Sequence, residues 1–204
     1  MRKRILSVLL AGCLLLSVGC SARENDSAAE TTEASSEVTI NTYHETMPVP
    51  EDGWTTDLIS EVFYINGKNV PFPFTIEDLG EGFEWEYDST STNDEGKIDV
   101  LSMHYHGQVF AFVTLINDPV YENELNSAKI RNVTFNYEGS EQLVFLNGIT
   151  IGSKYDEVIK SFGENNIPQE DFSFIKYYFS DCKLFFSMKD NRVNGIYYME
   201  DKSG

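Results

Sequence analysis

The chain has 204 residues, and its 33 Asp and Glu against 15 Lys and Arg give a formal charge of −18 at pH 7. An anionic surface repels phosphate, which argues against nucleic acid as a partner. Three histidines and three cysteines leave little for a zinc cluster or a disulfide framework. The 41% of hydrophobic residues is enough for a packed core.

Residues 1–19 predict a signal peptide for export. Arg2, Lys3 and Arg4 form a positive segment, residues 5–18 are an apolar run, and small residues precede Cys20. The run is shorter than the roughly 20 residues that span a membrane. Removing this segment takes basic residues and no acidic ones, so the mature chain is more anionic still.

Leu16-Ser17-Val18-Gly19-Cys20 resembles the box that ends the signals of bacterial lipoproteins. The resemblance implies that Cys20 is diacylated and becomes the mature N-terminus, and two acyl chains hold a protein stably on a membrane. We therefore expect an exported protein that a lipid anchors to the outer face of the cell membrane. Leu10-Ala11-Gly12-Cys13 matches the usual box more closely, but cleavage there would leave a shorter apolar run, 5–10. Lipidation at Cys13, an uncleaved anchor and plain secretion remain alternatives to Cys20.

The next segment, residues 20–53, is predicted to be the lipidated cysteine followed by a flexible linker. Residues 21–37 are rich in Ser, Ala, Thr and Glu and contain no aromatic residue. Such a segment buries too little apolar area to offset its ordering entropy. Residues 41–53 contain proline and acidic residues and are predicted to be a loop.

The remaining chain contains a weak internal repeat, which predicts two units, 54–124 and 125–204. Residues 62–67 (VFYING) resemble residues 143–148 (LVFLNG), and a helix signal follows each of them. In the first copy that signal is the capping pair Thr75 and Asp78, and in the second it is Ser153 and Asp156. The second helix has one apolar face and ends at a glycine. That face and glycine are Tyr155, Val158, Ile159, Phe162 and Gly163.

Each half also predicts a meander of strands. Strands 98–105 and 109–116 flank a turn at 106–108, and strands 183–188 and 193–199 flank a turn at 189–192. A strand at 132–137 should link the copies. The predicted fold class is α+β, with two related units that each pack a short helix on an antiparallel β-meander.

The second half resembles the small exported domains of the SmpA/OmlA outer-membrane assembly lipoproteins and of the β-lactamase inhibitory proteins. The shared pattern is Gly-x-x-x-Asp-Glu-Val-x-x-x-Phe-Gly followed by a meander; here it falls on Gly152, Asp156, Glu157, Val158, Phe162 and Gly163. The usual proline after the helix is displaced to Pro168. The resemblance implies a helix–sheet fold that is used for protein binding and carries no chemistry. An unrelated α+β sheet protein is the alternative.

Several strands carry apolar residues on both sides, which favours an aromatic surface that a partner covers. Tyrosine suits an interface because its ring is apolar and its tip is polar. The candidate binding residues are Tyr105, Tyr178, Tyr198 and Trp85. In the alternative interpretation, the two units or the loops cover these residues.

Sequence patterns for catalysis or cofactor binding are weak. His104 and His106 could share a metal on one side of a strand, but no third ligand lies near them in sequence. Cys182 aligns with apolar residues and is predicted to be buried. The acidic cluster around Glu84 and Glu86 singles out no catalytic pair. No nucleotide-binding or nucleophile motif is present, so we expect no catalytic residue, metal or other cofactor.

The sequence therefore predicts a non-enzymatic, lipid-anchored extracytoplasmic protein. It would bind a protein or an envelope component through a sheet surface. The alternatives are a hydrolase that acts on cell-wall material or polysaccharide, and a structural or sensory accessory of the envelope.

Overall fold

The structure, a computed structural model, describes residues 38–86, 100–116, 122–136, 138–164 and 173–201. The described residues form three short α-helices: α1 (Thr56–Glu61), α2 (Ile76–Leu79) and α3 (Tyr155–Phe162). Short 3-10 helices span Glu122–Ser127 and Glu138–Ser140. The predicted signal peptide, Cys20 and residues 21–37 lie outside the described residues.

Side chains that bind free amides set where the helices begin. The predicted capping box of α2 is confirmed, because Thr75 and Asp78 bind each other's backbone N–H groups. The predicted start of α3 is wrong by one residue. The N–H of Lys154 donates to Glu157 Oε2 at 2.7 Å, while the hydroxyl of Ser153 accepts from Thr150 N–H in the preceding turn.

Ten antiparallel strands in the described residues form two sheets. The three-stranded sheet has the order β2-β1-β7, and the seven-stranded sheet has the order β3-β4-β5-β6-β10-β9-β8. The chain is therefore of the α+β class, as predicted. The strands are β1 (Phe63–Ile65), β2 (Lys68–Asn69), β3 (Phe83–Glu86), β4 (Leu101–Tyr105), β5 (Gln108–Leu115), β6 (Ile130–Phe135), β7 (Val144–Leu146), β8 (Phe174–Tyr178), β9 (Cys182–Lys189) and β10 (Arg192–Glu200).

Both predicted hairpins are present, and their strands begin and end within a few residues of the predicted bounds. The turns consist of His106-Gly107 and Asp190-Asn191, with positive φ at all four residues, as in the tight turns that suit twisted strands. The predicted linking strand is β6, which pairs with β5 on one side and β10 on the other. Strands from both predicted units therefore share one sheet.

The two similar segments of the sequence pair with each other as β1 and β7. Their register centres on Tyr64 opposite Phe145. Asn66 N–H donates to Leu143 O at 2.7 Å, and Asn147 N–H, at the equivalent position, donates to Val62 O at 2.9 Å. The two copies thus make the same contacts in opposite directions.

Residues 38–50, which we call the N-terminal strap, lie against the two Asn-Gly turns. Asn66 Oδ1 accepts from Asn41 N–H at 2.7 Å, and Asn147 Oδ1 accepts from Met47 N–H at 2.6 Å. The strap also covers Phe145, on which the ring of His44 stacks at 4.2 Å. This part of the predicted linker is a loop, as expected, but it makes specific contacts with the folded body.

The core is continuous across both predicted units. It includes fully buried residues of the seven-stranded sheet, among them Leu101, Phe110, Val133, Leu184 and Phe186. Cys182 is also completely buried, as predicted, and Thr56 Oγ1 donates to its sulfur at 3.4 Å.

Candidate binding surface

Strands β8, β9 and β10 bury one side of the sheet, and most of the large side chains on the other side are half-buried or exposed. Alternate residues of a strand point to opposite faces, and the inward set includes Ile175, Leu184 and Tyr198. The outward set is largely aromatic and carries two lysines. We call Phe174, Lys176, Tyr178, Phe185 and Tyr197 the aromatic face. Lys183 lies beside it, opposite Tyr178, and its Nζ is 2.8 Å from Asp201 Oδ2.

The register of the sheet brings the side chains of the aromatic face together. Lys176 lies opposite Phe185, and Phe185 lies opposite Tyr197. The rings of Tyr178 and Phe185 are 5.6 Å apart, and those of Phe174 and Tyr197 are 6.3 Å apart. These spacings are typical of favourable aromatic pairs.

Lys176 is the charged residue of this aromatic face. Its Nζ lies 5.5 Å from the ring centre of Phe174 and 5.9 Å from that of Phe185. The electron-rich ring faces attract the cation, and its aliphatic stem packs on the apolar surface. The result is an apolar patch with a positive charge on a strongly negative protein.

The Tyr197 ring can adopt its position because residue 195 is glycine. A Cβ at Gly195 would lie 2.9 Å from Tyr197 Cε2 and 2.5 Å from Ser187 Oγ. The tyrosine ring therefore lies close against the backbone of its own strand. It forms a flat part of the aromatic face.

A cleft of about 410 Å³ lies beside β8 and meets the aromatic face at Lys176 and Tyr178. Its walls include Trp54, Phe162 and Glu164. Trp54 is buried, and within the described residues its Nε1 has no hydrogen-bond partner.

Tyr177 fixes one wall of this cleft. Its hydroxyl donates to Gly163 O at 2.9 Å, which ties β8 to the end of α3. Burial raises the pKa of Tyr177 well above its usual value, so the hydroxyl stays protonated and keeps donating.

Of the four predicted binding residues, Tyr178 alone lies on the aromatic face, and 49% of its surface is exposed. Tyr105 is buried, and its hydroxyl accepts from Asn66 Nδ2 at 2.9 Å. Tyr198 is 3% exposed and stacks on Phe72 with 3.7 Å between ring centres. Placing these two tyrosines on an open surface was wrong, because both project from the buried side of their strands.

Trp85, the fourth predicted residue, is half-buried on β3. Its Nε1 donates to Leu125 O at 3.2 Å. Since β3 and β8 are the two opposite edges of the seven-stranded sheet, the structure does not bring Trp85 and Tyr178 together.

The outward position of Tyr197 was not predicted from the sequence because a β-bulge changes the alternation in β10. The register shifts between Val193 and Gly195. Counting in twos from buried Val193 would turn Tyr197 inward, whereas Ile196 and Tyr198 are the inward residues. Phe185, in contrast, follows from simple alternation between buried Leu184 and Phe186.

A cluster of Ser102, His104 and Glu86 resembles a catalytic relay in composition but differs from one in geometry. His104 Nε2 lies 3.1 Å from Ser102 Oγ and 3.1 Å from Glu86 Oε2. A serine–histidine relay needs the carboxylate on the other ring nitrogen. The cluster therefore lacks the geometry to activate Ser102.

The described residues also provide no metal site and no reactive cysteine. No group of three or more His, Cys, Asp or Glu side chains there could hold a metal ion. Burial raises the pKa of the Cys182 thiol, which disfavours the reactive thiolate. None of the described helices is long and apolar enough to cross a membrane.

No family model, no curated protein and no solved structure matches this chain.

Proposed function

We propose that this chain is a non-enzymatic, lipid-anchored extracytoplasmic protein that binds a protein or an envelope component through the aromatic face. The observation that carries the proposal is the contiguous group of four aromatic rings and Lys176 on the outward side of β8–β10, of which Tyr178 is exposed and the others are half-buried. Single exposed apolar residues are common, but a contiguous group of them is typical of an interaction site.

The composition of the aromatic face suits binding. Tyrosine is enriched at the centres of interfaces, where a few large side chains supply most of the binding energy. The hydroxyls of Tyr178 and Tyr197 would provide directional contacts, and their rings would provide apolar area.

The lipid anchor belongs to the proposal. A diacylated Cys20 would hold the protein on the outer face of the cell membrane. The charge of −18 would repel the body from anionic headgroups. The two effects together favour a body that stands off the membrane with its aromatic face accessible.

The proposal also includes two related units, 54–124 and 125–204. The symmetric pairing of β1 with β7 supports it, as do the matching roles of Asn66 and Asn147 in binding the N-terminal strap. In this interpretation β3–β5 and β8–β10 are the meanders of the two units, and β6 joins them.

Photo-cross-linking in intact cells tests the binding role. A photoreactive phenylalanine analogue replaces Tyr178 or, as the matched control, Tyr43, which is 55% exposed on the N-terminal strap. We expect a discrete adduct from position 178 that disappears when Tyr197→Ala is added, and no discrete adduct from position 43. Equal adducts from both positions, or none from either, would contradict the proposal.

Metabolic labelling with an alkyne-bearing fatty acid tests the anchor. Cys20→Ala should abolish the label and release the chain from membranes, whereas Cys13→Ala should leave both unchanged because that residue is removed with the signal. If only the Cys13→Ala variant loses the label, the lipidated residue is Cys13. Label on neither cysteine would refute the anchor.

A further inference from the structure

The hydrogen-bond register of β8 leaves one row of its backbone groups unused. Met188 N–H donates to Ser173 O at 2.7 Å, and Phe179 N–H donates to Cys182 O at 2.9 Å. In an antiparallel pair, hydrogen-bonded and non-hydrogen-bonded residue pairs alternate. Residues 175 and 177 therefore bond to β9, and the N–H and C=O groups of Phe174, Lys176 and Tyr178 point away from it.

Those outward groups lie at the end of the seven-stranded sheet. β8 pairs with β9 alone, and no hydrogen bond from another described residue reaches the outward groups of Phe174, Lys176 or Tyr178. An edge with a row of unpaired donors and acceptors is a template for another strand. The same residues carry side chains of the aromatic face, so edge and face form one continuous surface.

The cleft lies beside this edge. Its volume of about 410 Å³ is within the range of pockets that hold ligand groups, about 300–1,000 Å³. Trp54 and Phe162 give it apolar walls, and Glu164 places a carboxylate there.

We infer that the partner supplies an extended, basic segment that adds to β8 as a further antiparallel or parallel strand and inserts one large apolar side chain into the cleft. This inference rests on the proposed function and specifies its binding mode. Main-chain hydrogen bonds to residues 174, 176 and 178 would provide affinity, and the cleft would select the side chain.

Charge selects the occupant. A second copy of this chain would bring another −18 to the same edge, and like charges disfavour such pairing. A segment with Lys or Arg next to its apolar residue is attracted by the overall charge and can pair with Glu164. Lys176 also lines the cleft and keeps its charge, so the basic residue of the segment should lie towards Glu164, away from the ammonium that Lys176 holds over the rings of Phe174 and Phe185.

The probe is a displayed library of random linear ten-residue peptides, selected against the full-length chain in detergent. We expect the recovered peptides to share an aromatic or large aliphatic residue beside Lys or Arg. Peptide binding should slow the hydrogen exchange of the backbone amides of Phe174, Lys176 and Tyr178. Recovery of no peptides, or of acidic ones, would overturn the inference. So would protection of those amides in the free chain, since a segment of the chain itself, such as residues 165–172, would then occupy the edge.

Two variants at position 176 distinguish the contribution of the backbone N–H to peptide binding from that of the side chain. Lys176→Pro removes an N–H that the sheet does not use, and proline is tolerated on edge strands. Lys176→Ala keeps that N–H. Peptide binding should weaken about tenfold or more in Lys176→Pro relative to Lys176→Ala. Equal affinities for the two variants would exclude pairing at this edge.

A second measurement needs no protein variant. Methylation of alternate backbone nitrogens of a recovered peptide should abolish its binding to the unaltered chain in one of the two alternation phases. Binding that survives both phases would overturn strand addition. A discrete adduct from position 178 in cells would still support the aromatic face as a binding site, so failure of this inference is distinguishable from failure of the proposed function.

Discussion

Tyr197 contributes to the aromatic face because its neighbour Gly195 has no side chain. The ring of Tyr197 and the hydroxyl of Ser187 fill the space that a Cβ would need. Within the described residues the buried Ser187 hydroxyl has no hydrogen-bond partner. Glycine at position 195 thus leaves room for the Tyr197 ring, and the Ser187 hydroxyl beside it is buried without a hydrogen-bond partner among the described residues.

Gly195→Ala should displace the Tyr197 ring and destabilise the fold by about 1–3 kcal/mol, the usual cost of overpacking. Adding Ser187→Ala should recover part of this loss, because it removes both a close contact and an unpaired buried hydroxyl. Urea unfolding of the two single variants and the double variant measures the coupling. Strictly additive effects would show that the two residues do not compete for this space.

Cys182 should resist thiol reagents in the folded protein. Its side chain is completely buried, and burial raises the pKa of the thiol, so the thiolate is scarce even at mildly alkaline pH. Labelling with a chromogenic disulfide at pH 8 should be slow until urea unfolds the chain. Val38→Cys, at an exposed position, should label at once. Fast labelling of native Cys182 would contradict its burial.

At the scale of elements, two Asn-Gly turns hold the N-terminal strap. Asn147 is the more buried of the two asparagines, and its side chain bonds to Met47 N–H, Met47 O and Ser161 O. The side chain of Asn66 bonds to Asn41 N–H and the Tyr105 hydroxyl. The turn after β7 therefore binds the strap more extensively than the turn after β1.

Asn147→Gly should lower the free energy of unfolding by about 2–4 kcal/mol, and Asn66→Gly by about 1 kcal/mol less, given the usual net value of each hydrogen bond. Glycine accepts the positive φ of both turns, 48° and 49°, so strain does not enter the comparison. Urea unfolding of both variants measures the difference. A larger effect at Asn66 would contradict this ranking.

The local elements could be predicted from the sequence because they depend on neighbouring residues. The capping box at Thr75, the end of α3 at Gly163 and the turn at His106-Gly107 each need only a few adjacent side chains. The aromatic face could not be predicted in full, because the bulge at Gly195 and the order of the strands are set by contacts between distant segments. The strap was missed because the partners of Asn41 and Met47 are 25 and 100 residues away in sequence.

At the scale of the molecule, β6 joins the strands of both predicted units into one sheet. It pairs with β5 through Phe112 and Thr134, and with β10 through Tyr197 and the same Thr134. The core is likewise continuous from β4 to β9. A body whose large sheet and core both extend across the two predicted units should unfold as a unit.

Calorimetry should show a single unfolding transition for the body. Leu101→Ala on β4 and Leu184→Ala on β9 remove fully buried side chains and should each cost about 2–5 kcal/mol. Both variants should lower the temperature of that same transition. Two transitions, of which each variant lowers only one, would mean that residues 54–124 and 125–204 fold independently.

The placement of the N-terminal strap determines where mechanical load would enter the fold. Tension that enters at residue 38 reaches the hydrogen bond from the Tyr105 hydroxyl to Thr39 O first, the bond at Asn66 next and the contacts of Asn147 last, before it reaches α1. The strap can therefore peel away one contact at a time, and the seven-stranded sheet is loaded at Tyr105 on β4. β8 is five strands away from β4 in that sheet, so its outer edge should stay intact while the strap is pulled away.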